Sequence, residues 1–285
     1  MAFFFVFAFL AILALSVSFY EIRHFKIKEY SIKSGKLKGE ALKIAFISDL
    51  HSCSYGKNNV KLEEALRNEN PDLILIGGDT YTAEKKSDNT AAEEFICDIA
   101  GKYQTLYALG NHEYRFAEYP EKFPGIYERF LKLLEDCKIT LLDNNHYELD
   151  IKGNRLVIYG LTLEREYYKR FHSGKLPQDL IVRRLKKVSG DTFSILLAHN
   201  PAFFEAYSKW QPDLILSGHY HGGIARLKNL GMISPYYRLF PKYAYGLIQD
   251  KQTKMIVSGG LGQHTIPVRL LNPPELVMIH LNTND

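Results

Sequence analysis

An α/β fold, with buried strands layered against helices and one membrane-crossing helix ahead of them, is the architecture this sequence predicts, and three observations predict it. Five short runs rich in Ile, Leu and Val are separated by stretches with helical spacing, the pattern of strands covered on both faces. A hairpin signal and two further strand-like runs come after them, enough for a second sheet. Nineteen residues near the amino terminus are apolar almost without a break, and at about 1.5 Å per residue they come close to spanning a hydrocarbon core of about 30 Å.

From Ala2 to Tyr20 only Ser16 and Ser18 interrupt the apolar run. No Lys or Arg precedes it, whereas Arg23, Lys26, Lys28, Lys33, Lys36 and Lys38 come directly after. A cleaved signal peptide wants the opposite order and a small-residue cleavage site, so the reading is a single-pass anchor over 1–22, with the positive-inside tendency placing the remainder of the chain in the cytoplasm. Residues 23–41 mix charges with Gly35 and Gly39 and read as a tether with room for one strand. The globular domain is expected over 42–285. Within it, strands are predicted at 43–48, 73–76, 106–109, 195–198 and 214–217, and helices at 60–68, 91–100 and 126–136. Residues 147–151 and 155–159 alternate around Lys152-Gly153-Asn154, a hairpin. Strands at 255–258 and 276–281 would complete a two-sheet core with helices outside.

Composition narrows the function classes. With 285 residues, 46% hydrophobic and 24% charged, the chain can bury a large core as one sizeable domain. A net charge of +4 gives little purchase on a phosphate backbone, so no nucleic-acid partner is expected. Cys53, Cys97 and Cys137 are too few for a disulfide framework and favour a reducing compartment. Cys53, two residues after His51, reads as a small loop side chain and not as a ligand.

The residues just after each of the five strands carry the chemistry: Asp49-Leu50-His51, Gly77-Gly78-Asp79, Gly110-Asn111-His112-Glu113, His199-Asn200-Pro201, and Gly218-His219-Tyr220-His221-Gly222-Gly223. In open α/β sheets the carboxyl ends of strands line the ligand crevice, so these groups are expected to converge. In extended chain, side chains two apart point the same way, so Asp49 with His51 and His219 with His221 can each present two donors to one region. Carboxylate and amide oxygens mixed with imidazole nitrogens suit Mn²⁺, Fe or Zn²⁺ better than Ca²⁺, and there are donors enough for two ions. Any one of these side chains is more often a hydrogen-bonded structural residue, but that reading has to be repeated at five strand ends.

These blocks, in this order, resemble the signature of the calcineurin-like metallophosphoesterase family. His221-Gly222-Gly223, Arg226-Leu227, Gly260-Leu261-Gly262, Arg269 and Asn272-Pro273-Pro274-Glu275 resemble its membrane-anchored bacterial branch. The resemblance implies a four-layer α/β/β/α sandwich. It implies one metal held by Asp49, His51 and His221, a second held by Asn111, His199 and His219, and Asp79 bridging the two. It also implies that His112 binds phosphate and protonates the leaving oxygen, oriented by a nearby acid; Glu113 can influence His112 but is not a ligand. Two ions about 3.5–4 Å apart clamp non-bridging oxygens and bring a bridging water toward hydroxide at neutral pH, so the expected activity is hydrolysis of a phosphate ester, a diester included, or of a pyrophosphate. A tether to the bilayer, with the family's lipid-A-precursor pyrophosphatases as analogy, suggests a lipid-linked phosphate as substrate, and the segment 230–245 reads either as a lipid-facing lip or as a surface loop and strand packed on its own tyrosines.

Two positions depart from the family pattern. Thr82 stands where a second acid is usual, which weakens the expected support of the metal ligands, and Ile224 stands where the branch often carries Gln. The same residues also allow a metal-dependent nuclease of the same fold and a membrane protein that keeps metals without catalysis, the latter favoured by Thr82. A metallo-β-lactamase arrangement is excluded by the lack of its His-x-His-x-Asp-His block.

Overall fold

In a computed structural model the described residues are 1–84, 87–169, 175–177, 179–186, 190–228, 230–233, 239–263 and 267–284. In chain order, helix α1 (Ala2–Glu21) leads into β1 (Lys26–Ser34) and β2 (Leu42–Ile47), then α2 (Val60–Glu69), β3 (Leu73–Ile76), α3 (Thr90–Ala100) and β4 (Thr105–Ala108). Helices α4 (Asn111–Glu118) and α5 (Ile126–Asp136) precede β5 (Thr140–Leu142) and the hairpin β6 (Asn145–Ile151) and β7 (Asn154–Leu161). Next come helix α6 (Leu180–Leu185), β8 (Phe193–Ala198), α7 (Phe204–Trp210) and β9 (Leu214–Ser217). The chain ends with the small pair β10 (Arg226–Leu227) and β11 (Leu230–Gly231), then β12 (Gly246–Asp250), β13 (Thr253–Val257) and β14 (Glu275–Thr283).

Two six-stranded sheets form, in the orders β1-β14-β2-β3-β4-β5 and β12-β13-β9-β8-β7-β6. The runs β2-β3-β4-β5 and β13-β9-β8-β7 are parallel. Successive strand residues face opposite ways, and the continuous apolar runs satisfy both faces at once. Ile44, Phe46, Leu75 and Leu106 of the first sheet pack against Leu156, Ile158, Ile195, Leu197 and Leu216 of the second. Their alternates, Ala45, Ile47, Ile74 and Ile76, pack outward on Leu66, Phe95, Phe130 and Leu134 of α2, α3 and α5. On the other side Val157, Leu196, Ile215 and Met255 pack on Leu180, Ile181, Phe204 and Tyr207 of α6 and α7. The layers are therefore α/β/β/α, each buried Leu or Ile contributing about 1.5–3 kcal/mol.

Two expectations are corrected. The stretch 23–41 is not a tether: β1 adds to the edge of the first sheet in nine-residue parallel register with β14. Beyond it Lys36 pairs with Asp213 at 2.9 Å, and the N–H groups of Lys38 and Gly39 donate to Asn154 Oδ1 at 3.0 and 2.9 Å. The one strand for which this stretch had room is an edge strand, which exposes one face and keeps its charged side chains in water as a linker does. The cysteines are the second correction. Cys97 on α3 and Cys137 at the end of α5 form a disulfide, with Cα atoms 5.2 Å apart, because two helices distant in sequence lie side by side on one sheet face. Cys53 is the free thiol.

Helix α1 projects from the domain with Phe3, Phe7 and Phe9 among many exposed apolar side chains, and 19 of its residues are long and apolar enough to cross a membrane. Its last turn, however, is docked. Ser18 Oγ accepts the N–H of Arg269 at 3.1 Å, Glu21 Oε2 accepts the N–H of Asn272 at 3.0 Å, and Phe25 just beyond meets Tyr55 edge-on.

Candidate metal centre

The carboxyl ends of β2, β3, β4, β8 and β9 bring the predicted residues together in the crevice where both sheets end. Three sets of donor atoms each lie within 4.8 Å of one another: Asp49, His51 and His221; His51, Asp79 and His112; Asp79, His199 and His219. All are buried. Asp79 Oδ2 is 3.0 Å from His199 Nε2 and 3.9 Å from His51 Nε2, so this carboxylate faces both sheets. Asp49 Oδ1 is 3.4 Å from His221 Nε2 and 3.8 Å from His199 Nε2. Asn111 opens α4, and the N–H of the next residue, His112, donates to Asp79 Oδ1 at 2.8 Å.

Convergence is achieved differently from the extended geometry expected. Asp49, His51, Asp79, His219 and His221 all have φ between 46° and 67°, the left-handed region that side chains other than glycine enter at a cost of about 1–3 kcal/mol. The two members of each Asp-x-His or His-x-His pair are aimed by turns, not by strand alternation. Neighbours hold these turns closed. A side chain at Gly110 would press on Asp79 and one at Gly218 on Asp49 Oδ2 and Ser48 Oγ, so both glycines are there for close approach.

The ligand candidates are fixed from behind. Asp49 accepts from Ser48 Oγ at 2.5 Å and from the His219 N–H at 2.9 Å. His199 Nδ1 bonds to the Gly77 carbonyl at 2.8 Å, which places a proton on Nδ1 and makes Nε2, the nitrogen facing Asp79, the one that would exchange its proton for a cation. Asn272 donates to the carbonyls of His221 and Gly223, and Arg269 Nη2 donates to those of Gly259 and Gly262 at 2.8 and 2.6 Å.

Glu113 has a role the sequence did not reveal. Oε2 accepts from the N–H groups of Asp79 and Gly110 at 2.8 and 3.0 Å, and Oε1 from the Tyr81 N–H at 3.2 Å and the Tyr107 hydroxyl at 2.8 Å. It knits the ends of β3 and β4 together. His112 Nδ1 accepts the Ala83 N–H at 2.8 Å, which places the proton of the neutral ring on Nε2. Thr82 is compensated in part by Asn89, whose Oδ1 accepts the Thr82 N–H at 3.0 Å and the Ser52 hydroxyl at 2.5 Å. Ile224 is tied through its backbone to Ile233 and Leu270, so the loop keeps its path without a polar side chain. Of the segment 230–245, residues 234–238 lie outside the described ones.

The protein's own charges create the field that a cation would enter. Burial pushes the Asp49 carboxyl up to about 6, against the pull of His199. Burial acts on Asp79 in the same direction, but the imidazoles of His199, His112 and His51 outweigh it and hold this carboxyl well below the usual range. His199, opposed by burial, is raised to about 10 by Asp79 and Asp49. The donor set fits divalent cations. Asn111 Oδ1 is buried with no hydrogen-bond partner among the described residues. His51 Nε2 and His221 Nε2 face each other at 3.2 Å, a contact of two lone pairs unless a proton or a cation lies between them.

Residues 42–223 match the family model of calcineurin-like phosphoesterases. An uncharacterized metallophosphoesterase of Helicobacter pylori is 30% identical over 247 residues, covering 84% of this chain and 60% of its own. One from Aquifex aeolicus is 28% identical over 245 residues, 85% of each chain. The phosphodiesterase YaeI of Escherichia coli is 24% identical over 246 residues, 84% of this chain and 82% of its own. The chain spans between 48% and 60% of the length of the first curated relatives it matches.

Proposed function

Since the chain belongs to the calcineurin-like phosphoesterase family, we propose that it is a metal-dependent hydrolase of phosphate esters, acting at a membrane on a lipid-linked phosphate. The observation that carries the reading is the shared geometry of the three buried donor sets, with Asp79 common to two of them.

In this reading Asp49, His51, His221 and Asp79 hold one divalent cation, and Asp79, Asn111, His199 and His219 hold the second. Two such cations, when bound, supply Lewis-acid polarisation of the phosphoryl oxygens and a more acidic water, whether the pair is Mn, Zn or Fe. The chain's own contribution is position and protons. Ser48, Gly77 and the His219 N–H fix the donors so that no rearrangement precedes binding. His112, held by Ala83 with its proton on Nε2, binds the phosphate and gives that proton to the departing oxygen. A charge-neutral proton donor next to a buried carboxylate suits the expulsion of an alkoxide or of a second phosphate, so both ester and pyrophosphate bonds come within reach.

The membrane part rests on α1, whose apolar side chains are exposed along its length. On sidedness, the lysines after α1 support a cytoplasmic domain, and the Cys97–Cys137 bridge supports an oxidising compartment. Protease treatment of intact cells separates the two, a cleaved domain placing it outside.

The test uses the full chain in neutral detergent, stripped of metal and assayed on an aryl phosphate diester, an aryl monoester and a lipid pyrophosphate as Mn²⁺, Zn²⁺ or Fe²⁺ is restored singly. Hydrolysis that returns with metal and is lost in Asp79→Asn supports the proposal. A chain that binds metal with these residues yet hydrolyses none of the three overturns it in favour of the non-catalytic alternative. A lipid pyrophosphate cleaved no better than the soluble esters removes the lipid-linked substrate.

A further inference from the structure

We propose that a basic cavity beside the foot of α1 binds the phosphate headgroup of an anionic lipid in the leaflet that α1 enters, giving the domain a second hold on the membrane. The inference rests on the reading of α1 as a membrane span.

The cavity, of about 320 Å³, is walled by Lys26 and Lys28 of β1, by Arg226 and Leu227 of β10, by Lys228, and by Leu271 of the loop before β14. That volume admits a phosphate and part of a glycerol, but not a whole lipid. Lys26 and Lys28 are two apart on one strand, so they stand on the same side of it, and they begin a few residues after α1 ends at Glu21. The side chains of Lys26 and Lys228 make no hydrogen bond or ion pair among the described residues, and Lys28 lies over the Tyr30 ring at 5.4 Å. Four cations thus surround one space. The carboxylate of the wall, Glu275, is occupied by the Tyr245 hydroxyl at 2.7 Å and the Gly259 N–H at 2.8 Å.

Arg226 closes the inner side of the cavity. It is buried, its guanidinium lies 3.5 Å above the centre of the Tyr245 ring, and its Nη1 has no hydrogen-bond partner among the described residues. The Glu275 carboxylate and the Tyr245 ring lie beside this guanidinium, and its one unpartnered nitrogen can still take an acceptor. The same Nη1 would stand 3.2 Å from a side-chain carbon at Gly222, so Arg226 forms the wall between this cavity and the turn that carries His219 and His221.

The rim identifies the source of the phosphate. Leu227 is 60% exposed and Leu271 59%, large apolar side chains held in water at the mouth of a cationic cavity. Cations at headgroup level with apolar side chains beside them match the chemistry of an anionic bilayer surface. The foot of α1, docked on Arg269 and Asn272, brings this mouth to the membrane boundary. A free phosphate ion would use the cations and leave the leucines without purpose.

The experiment measures binding by the full chain in neutral detergent with EDTA, so its outcome is independent of catalysis. The probes are dioctanoyl phosphatidate, dioctanoyl phosphatidylcholine and inorganic phosphate. Phosphatidate is expected to bind and phosphatidylcholine not to bind, with inorganic phosphate weaker than phosphatidate. Lys26→Gln/Lys28→Gln, two exposed positions whose loss leaves the core intact, should weaken phosphatidate about 30-fold, at about a factor of five per basic group near a lipid phosphate. Leu227→Ser should weaken phosphatidate and leave inorganic phosphate unchanged. The proposal is overturned if the double variant binds phosphatidate as the wild type does, if phosphatidylcholine binds as tightly, or if inorganic phosphate matches the lipid. A chain that stays soluble without detergent removes the membrane reading of α1 itself, a separate result.

Discussion

The two sheets contribute unlike halves to the centre. The first supplies the carboxylates Asp49 and Asp79, with Glu113 behind them; the second supplies the imidazoles of His199, His219 and His221. The halves are also held differently. The groups of the first sheet are braced largely within it, through Ser48 and through Glu113 between β3 and β4. Those of the second lean across the seam: His199 on the Gly77 carbonyl, and the His219 N–H on Asp49. Both carboxylates, with His51 and Asn111 beside them, sit on one side and three further imidazoles on the other, so the centre is assembled only when the two sheets close on each other.

The sharpest way to break that asymmetry is on the first sheet. Asp79→Asn keeps the shape but removes the charge that faces His199 and His51. Activity restored by Mn²⁺ should fall by more than about 10³-fold, because changes behind a ligand alone cost about 10–100-fold, and metal content should fall with it. His199→Ala should retain more metal than Asp79→Asn; the reverse order, read by atomic absorption, would place the electrostatic weight on the second sheet. The next effect separates proton delivery from metal holding. His112→Gln should lower kcat by about 10²–10⁴-fold, the usual contribution of a positioned proton donor, with metal content unchanged. If metal is lost as well, His112 acts as a ligand with His51 and Asp79.

Glu113→Gln probes the scaffolding. Three backbone N–H groups, of Asp79 and Gly110 on one oxygen and of Tyr81 on the other, face this carboxylate and can only donate, so either orientation of an amide sets its NH2 against at least one of them. A buried mismatch of this kind costs about 1–3 kcal/mol, and metal affinity should fall by about 10–100-fold. Because Glu113 acts through the position of Asp79, kcat at saturating metal should recover, which a proton-transfer role would not allow.

The same physics decides which features were legible in the sequence. Strands buried on both faces announce themselves as apolar runs, and the polar residues after them mark the crevice without knowledge of their partners, so Asp49, His51, Asp79, Asn111, His112, His199, His219 and His221 could be picked out together. Three things were hidden because they depend on contacts distant in the chain. Glu113 reads as a bystander until the Asp79 and Gly110 N–H groups are seen to end on it. The left-handed turn at Asp49 is packed against Gly218 and Gly260, a close approach that no local propensity reports. The edge strand β1 looks like a charged linker, and its membership in the first sheet appears only through its register with β14.

The smallest effect tests whether α1 belongs to this arrangement or merely anchors it. The loop between β13 and β14 joins the sheets: Arg269 binds carbonyls just after β13, while Asn272 binds those of His221 and Gly223. Ser18 accepts the N–H of Arg269, a residue 3% exposed. Ser18→Ala leaves that donor without its acceptor and should cost about 1 kcal/mol, a fall in Tm of about 2–4 °C for a domain of this size. The same loss should appear in detergent and in bilayers, since the bond is made within the protein. A substitution of equal size higher on the helix, Ser16→Ala, meets no such partner and should leave Tm unchanged. Equal shifts for the two would mean that α1 is stabilised along its length and that its foot has no special tie to the loop holding His221; a shift confined to Ser18 would make the last turn of α1 a working part of the seam between the sheets.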